Sequence, residues 1–196
     1  MKDDGSLELA AFLFKGHCAG NSVIAELEKR IPRVSASEED IAHKVALGLL
    51  DEDEVANANR MAPVYVAIAA FENSVRSLVA QRLVERVGAN WWATINLSTD
   101  IKNRSESRQK EEEKIRWHQS RGLGPIYFTE LRDLTSIIKG NWPHFEDLLH
   151  DADWVNHVIK TLERSRNVIM HSGQLSMDDI ERVGVTIRDW LRQVGG

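Results

Sequence analysis

The chain has 196 residues, of which 42% are hydrophobic and 28% charged, the balance of a soluble globular protein with one core or one core and a small appendage. No apolar run approaches the roughly 20 residues of a membrane-spanning helix, and two aspartates precede the short apolar stretch at the N-terminus, so we expect no signal peptide and a cytoplasmic protein. The formal net charge of −5 argues against an overall basic, nucleic-acid-coating surface, so any action on RNA would need a local basic cleft.

Cys18 is the only cysteine, which excludes an intrachain disulfide and disfavours a zinc site built on thiolates. A small buried thiol is the favoured interpretation. A catalytic Cys18 beside His17 stays open as an alternative, although neighbours in sequence do not face each other on a helix.

Residues 1–59 are predicted to form a helical N-terminal extension with two or three short helices. Capping-box spacing occurs twice before the helix predicted over residues 38–50, in the pairs Ser35 with Glu38 and Ser37 with Asp40. That helix would place three apolar side chains on one stripe: Ile41, Val45 and Leu49. The acidic run over residues 51–54 is predicted to be a solvated turn.

The first long helix is predicted from about Arg60 to Val87. Its apolar residues recur at steps of three and four, which is typical of a helix along a bundle core: Met61, Val64, Ile68, Phe71, Val75 and Leu78. Gly88 suits the C-cap, and the pair Trp91 and Trp92 suits packing at one end of a bundle.

Residues 98–121 are strongly polar and mix lysines and arginines with glutamates. We interpret them as a charged insertion that forms a solvated helix with ion pairs between residues four apart. The alternative is a flexible, partly basic arm that touches RNA phosphate or a partner, in which Trp117 and His118 could stack on single-stranded RNA.

Three further helices are predicted from about Tyr127 to Lys139, from Asp153 to about His171, and from Met177 to Val194. No strand pattern of useful length occurs. The sequence therefore predicts an all-α fold, an antiparallel helical bundle over residues 60–196.

The run RNVIMH, near the end of the penultimate helix, holds the residues with the clearest chemistry. Arg166 can clamp a phosphate with paired donors, His171 can move a proton near neutral pH, and Asn167 can orient the histidine or donate to the phosphate. Asn167 and His171 share a helix face, whereas Arg166 and His171 lie about 140° apart around an ideal helix. The two can meet one ligand if Arg166 reaches across with its long side chain, if the helix loosens near Ser172 and Gly173, or if a second copy of the motif supplies the partner. This angle therefore already hints at a dimer.

A purely structural interpretation of this run stays open. Arg166 could pair with Glu163 or with a carboxylate on another helix, and a histidine near a helix C-terminus is favourable with the helix dipole.

Glu72, beside the predicted core residue Phe71, is the next candidate, as a carboxylate that could orient His171. Its alternative role is a surface ion pair with Arg76, four residues later. His150 and His157 flank the run DADW at a spacing that fits no standard zinc or di-metal site, so no metal or cofactor is predicted.

RNVIMH resembles the HEPN signature of an arginine, a polar residue and, a few residues later, a histidine. Around it, FENSVRSLVAQRLVERVGANWW and YFTELRDLTSIIKGNWPHF look like the Swt1-like kind of HEPN domain, and the resemblance covers roughly residues 60–194. It implies a bundle of four or five core helices, with a polar residue at position 72 that faces the motif helix. A toxin branch of the family carries a regulatory tyrosine where this chain has Gly173, so that control is not expected.

The resemblance also implies a metal-independent endoribonuclease that leaves a 2′,3′-cyclic phosphate, with catalytic residues Arg166, Asn167, His171 and Glu72. The Arg/His motifs would meet across a homodimer. A toxin or antiviral-defence role is implied, with an antitoxin or regulatory protein as a partner. Two alternatives remain: a non-catalytic HEPN module that binds RNA, nucleotide or protein, and a structural scaffold indifferent to these residues.

Overall fold

The computed structural model describes residues 36–115, 117–122 and 124–195. This part of the chain is helical and contains no strand, which confirms the predicted all-α fold class. Its helices are α1 (Glu38–Lys44), α2 (Glu52–Val87), α3 (Trp91–Thr94), α4 (Thr99–Glu113), α5 (Leu131–Gly140), α6 (Glu146–Leu149), α7 (Ala152–Met170) and α8 (Met177–Gly195). Three short 3₁₀ turns are interspersed, at Leu47–Leu49, Pro125–Phe128 and Trp142–His144. The predictions on Cys18, His17 and Ser35 lie outside the described residues.

Helix α2 begins eight residues before the predicted Arg60, so the expectation of a solvated turn over residues 51–54 is wrong. The Asp51 carboxylate caps the helix by accepting the backbone N–H groups of Asp53 and Glu54 at 3.0 and 3.2 Å. Acidic side chains in the first turn are favoured there because they face the unpaired N–H groups of the helix end. The predicted division between residues 59 and 60 therefore falls inside one continuous helix.

Helices α2, α5, α7 and α8 pack on one another around a shared core. The stripe predicted on α2 is buried throughout, and none of its six apolar side chains is more than 8% exposed. Trp190 of α8 lies at the centre, with its ring edge to face with Phe71 at 5.5 Å and stacked on Trp154 at 5.7 Å. Gly88 ends α2 at a φ of +102°, as its predicted C-cap role requires, and Trp91 is buried beyond it.

The charged segment folds as helix α4 and is held against the bundle by its arginines. Arg104 pairs with Asp133 at 3.0 Å and Arg108 with Glu130 at 2.7 Å, while Ile101 of α4 is buried. The prediction of a helix is confirmed for residues 99–113, and a flexible arm is wrong for this part. These two ion pairs with carboxylates at the start of α5 hold α4 against the bundle, although the sequence of α4 is almost entirely polar.

Helix α1 is shorter than predicted, and the apolar side chains of its predicted stripe are exposed to solvent. The capping box of Ser37 and Asp40 is present, but the helix ends at Lys44 because Ala46 adopts a left-handed conformation with φ of +56°. Ile41, Val45 and Leu49 are 41, 58 and 86% exposed. Among the described helices, none combines the length and apolar character that crossing a bilayer requires.

Candidate functional site

Helix α7 carries the motif at its C-terminal end. The helix ends at Met170, and the backbone N–H of His171 donates to the carbonyls of Asn167 and Val168 at 3.2 and 3.3 Å. The chain then turns through Ser172, whose φ is +62°. The predicted end of the helix at Ser172 and Gly173 is thus confirmed, and His171 occupies the first position at which the chain leaves the helix.

Gly173 stands where a side chain would not fit without a shift. Its N–H donates to the Val168 carbonyl at 2.8 Å. A Cβ added at residue 173 would lie 2.9 Å from that oxygen and 2.7 Å from a methyl group of Val168. The close packing of this turn gives a physical reason why the position holds glycine rather than a tyrosine.

Glu72 of α2 faces the motif helix and contacts two arginines at once. One carboxylate oxygen lies 2.5 Å from Nη2 of Arg76 on the same helix, and the other lies 3.3 Å from Nε of Arg166 on α7. The Glu72 side chain is only 13% exposed, so its contact with Arg76 is not the surface pair considered from the sequence. Arg166 thus pairs with a carboxylate on another helix, and not with Glu163.

Arg76 is the buried member of this cluster and was not predicted as a site residue. Its guanidinium also donates to the Asn73 side chain at 2.9 Å and to the Thr129 carbonyl at 3.2 Å. It is 7% exposed, which is rare for an arginine unless paired. Tyr65, Glu72 and Arg76 fall on one helix face, but the position between the first two on that face is the apolar Ala69, so the sequence signal was weak.

A cleft of about 200 Å³ opens beside this cluster, between α2 and α7. Arg166 and Arg76 supply positive charge at its wall and Glu72 offsets part of it. Tyr65 and Met170 also line the cleft and are 46 and 52% exposed. The cleft therefore offers guanidinium groups beside an apolar rim, which suits a phosphate that carries an aromatic base.

The structure does not bring His171 to this cleft. His171 and Asn167 are both exposed and neither lines it. The side chain of His171 makes no hydrogen bond or ion pair with the residues that the structure describes. Of the four predicted residues, Glu72 and Arg166 are in contact. Asn167 and His171 lie about 100° and 140° from Arg166 around an ideal helix, and so on another face.

Two other sequence hypotheses concern histidines. Trp117 is 86% exposed with its ring 5.7 Å from that of His118, and their stacking on RNA stays a prediction. Within residues 36–115, 117–122 and 124–195, no three His, Cys, Asp or Glu side chains come together in a group that could hold a metal ion.

A family model described as Swt1-like HEPN matches residues 67–195. The match begins within α2 and includes Glu72, Arg166, Asn167 and His171. No curated protein and no solved structure matches the chain.

Proposed function

The chain belongs to the Swt1-like HEPN family, and we propose that it is an endoribonuclease that cleaves RNA without a metal ion. Family membership alone suggests either a ribonuclease or a nucleotide-binding module. The observation that favours cleavage is the ion pair of Arg166 with the partly buried Glu72, which holds a permanently charged guanidinium at the wall of a cleft.

In this proposal Arg166 binds the scissile phosphate. Its contact with Glu72 is made through Nε, and its side chain is 39% exposed, so the outer edge of the guanidinium can meet a ligand. Glu72 positions Arg166, and Arg76 in turn positions Glu72. A preorganised guanidinium stabilises the extra negative charge of the phosphorane-like transition state more than that of the starting phosphodiester.

His171 moves the proton. The substrate's 2′-hydroxyl loses its proton, its oxygen attacks the phosphorus, the bond to the 5′ oxygen breaks, and that oxygen takes up a proton. The products are a 2′,3′-cyclic phosphate and a 5′-hydroxyl. An exposed imidazole can act as the acid or the base in this sequence, and Asn167, on the same helix face, can orient it.

The proposed active form is a homodimer with the site at the interface. Within one chain Arg166 and His171 lie on different faces of α7, so a second copy would bring a histidine to the cleft. Exposed side chains that line the cleft support such a contact: Tyr65 and Met170 are 46 and 52% exposed. Isologous pairing of this surface would bury them and bring the histidine of each copy to the cleft of the other.

The biological role that we propose is that of a toxin or antiviral-defence effector. The only support for it is the family resemblance of the motif region. A ribonuclease that attacks cellular RNA needs restraint, so an antitoxin or another regulatory protein would be its partner.

The second candidate is a non-catalytic module that binds RNA, nucleotide or a protein partner. The exposed His171, without a polar partner in the described residues, favours it, as does the net charge of −5. In that case the Glu72–Arg166 pair would serve only to join α2 and α7.

Purified wild type and His171→Ala, incubated in EDTA with total tRNA and a labelled single-stranded RNA, test the proposal. We expect cleavage by the wild type alone, with a cyclic-phosphate end. Cleavage that needs a divalent ion, or that His171→Ala retains, would contradict the mechanism. RNA that is bound but left intact by both proteins would favour the binding module.

A further inference from the structure

One exposed stripe of α7 carries two cations that the proposed chemistry does not use. Lys160, Arg164, Asn167 and His171 follow one another at steps of four, three and four, so they lie along a single helix face. All four are exposed. At a rise of about 1.5 Å per residue the stripe is about 16 Å long. We call these four residues the α7 stripe.

We propose that the α7 stripe binds the phosphate backbone of the RNA that leads to His171. This inference rests on the proposed function, because it assigns the path of that substrate. Helix α7 ends at Met170, directly before His171, and the negative end of a helix dipole repels anions. The phosphates that flank the one bound by Arg166 therefore need other cations, which the stripe supplies.

The state of the arginines distinguishes this stripe from helix α4, the other basic segment. Lys160 and Arg164 form no ion pair with any described residue. In α4, by contrast, Arg104 and Arg108 are already paired with Asp133 and Glu130. A paired arginine must give up its carboxylate to bind phosphate, whereas an unpaired one keeps its full attraction for the ligand.

A groove of about 430 Å³ between α7 and α8 runs beside the stripe and contains Arg164. Arg182 of α8 and His157 of α7 also line it. The one carboxylate in the groove, Asp179, is occupied by Arg182 at 2.8 Å and by the Ser176 hydroxyl at 2.7 Å. The groove therefore keeps an excess of positive charge next to the stripe.

The linear spacing of these groups favours a polynucleotide over a mononucleotide. Lys160 and Arg164 lie one helix turn apart, and His171 lies two turns beyond Arg164. A strand presents one phosphate per nucleotide along this length, whereas the phosphates of a free nucleotide are gathered at one end. The stripe thus matches the repeated charge of single-stranded RNA.

The test uses the full chain in the His171→Ala background, so that binding is measured without cleavage. Lys160→Gln and Arg164→Gln are added separately, and Lys110→Gln, an exposed lysine in the last turn of α4, is the matched control. Fluorescence anisotropy with a labelled 12-nucleotide RNA gives Kd at several salt concentrations. We expect each stripe variant to weaken binding about fivefold and to reduce the slope of log Kd against log salt by about 0.7, with no change for the control.

Equal losses in the stripe variants and in Lys110→Gln would overturn the proposal, because they would reflect net charge alone. An unchanged salt slope, or binding of ATP but not of RNA, would also overturn it. The proposed function can fail separately. If the wild type does not cleave RNA but the stripe variants bind it more weakly, RNA binding by the α7 stripe is supported and the proposed cleavage is not. If the wild type cleaves RNA and the stripe variants bind it normally, the proposed cleavage is supported and RNA binding by the α7 stripe is not.

Discussion

At the scale of single residues, Glu72 is a partly buried carboxylate that pairs with two arginines of different exposure. Arg76 on one side is 8% exposed at its side chain, and Arg166 on the other is 39% exposed. The inner arginine needs the carboxylate because an unpaired buried charge is costly. The outer arginine can be solvated by water instead. Loss of Glu72 should therefore change the position of the Arg166 side chain, at little cost to the stability of the fold from Arg166 itself.

Glu72→Gln should therefore affect both stability and catalysis. We expect the free energy of unfolding to fall by about 2–3 kcal/mol, because Arg76 is left buried without a counter-charge. Urea denaturation measures this loss, and Glu181→Gln, an exposed glutamate on α8, is the control and should stay within about 0.5 kcal/mol of the wild type. Cleavage under stabilising conditions should also fall in Glu72→Gln. An unchanged cleavage rate would show that Glu72 does not contribute to the active site.

At the scale of the elements, the contact between α4 and the start of α5 depends on charge. The hydrogen bond from Arg108 holds the pKa of the Glu130 carboxyl below its ordinary value of 4.5, and the nearby Arg132 acts in the same direction. Glu130 also caps α5 together with Asp133, so the charged helix is joined to the bundle where that helix begins.

The pH dependence of stability follows from this lowered pKa. The folded protein binds a proton at Glu130 less readily than the unfolded chain, so the ionised group stabilises the fold above pH 4.5 and this contribution is lost as pH falls below it. Glu130→Gln should lower stability at pH 7 and flatten the decline between about pH 5 and 3. Urea denaturation across this range tests it, and parallel curves for the two proteins would contradict it. The effect should be small because Glu130 is 34% exposed.

A second contact between elements is made by the buried side chain of Asn141 at the end of α5. Its oxygen accepts the N–H of Asn96 at 2.9 Å, and its nitrogen donates to the carbonyls of Asn96 and Ile137 at 2.9 and 2.8 Å. Asn96 lies between α3 and α4, so this one amide joins that connection to α5.

Asn141→Ala should leave three backbone groups without partners. We expect a loss of about 2–3 kcal/mol in the free energy of unfolding, seen as a lower midpoint in urea. Asn167→Ala is the control, since its exposed side chain makes no such contact, and it should unfold like the wild type. A loss of under about 0.5 kcal/mol for Asn141→Ala would mean that water replaces these bonds.

At the scale of the whole molecule, one copy of the chain holds its two main catalytic candidates apart. Arg166 lies in the cleft between α2 and α7, and His171 is exposed on another face of α7. If the active site is formed across a homodimer, each site would take the arginine from one copy and the histidine from the other.

Mixing two inactive variants tests this arrangement. In a heterodimer of Arg166→Ala and His171→Ala, one site would lack both residues and the other would hold both. If subunits exchange freely, an equal mixture should therefore recover about a quarter of the wild-type cleavage rate. Native mass spectrometry of differently tagged copies confirms that heterodimers form. Heterodimers without activity would contradict a site shared in this way.

The sequence by itself determined the features of this protein that depend on local chemistry. The all-α class, the buried stripe of α2 and the ends of helices at Gly88 and Ser172 follow from periodicity and from the conformations that single residues allow. The motif run was visible for the same reason, and the family match over residues 67–195 agrees with the resemblance on which its interpretation rests. The start of α2 was misjudged because an acidic run suits both a solvated turn and the capped first turn of a helix.

Only the tertiary structure decided which charges are paired. Glu72 could have met Arg76 alone, and the packing of α2 against α7 adds Arg166. Likewise, Arg104 of the basic segment is neutralised by Asp133, whereas Arg164 on α7 is left free of ion pairs with the described residues. An ion pair between distant helices depends on the distance and angle at which those helices pack, and these are set by the whole core rather than by the residues that carry the charges.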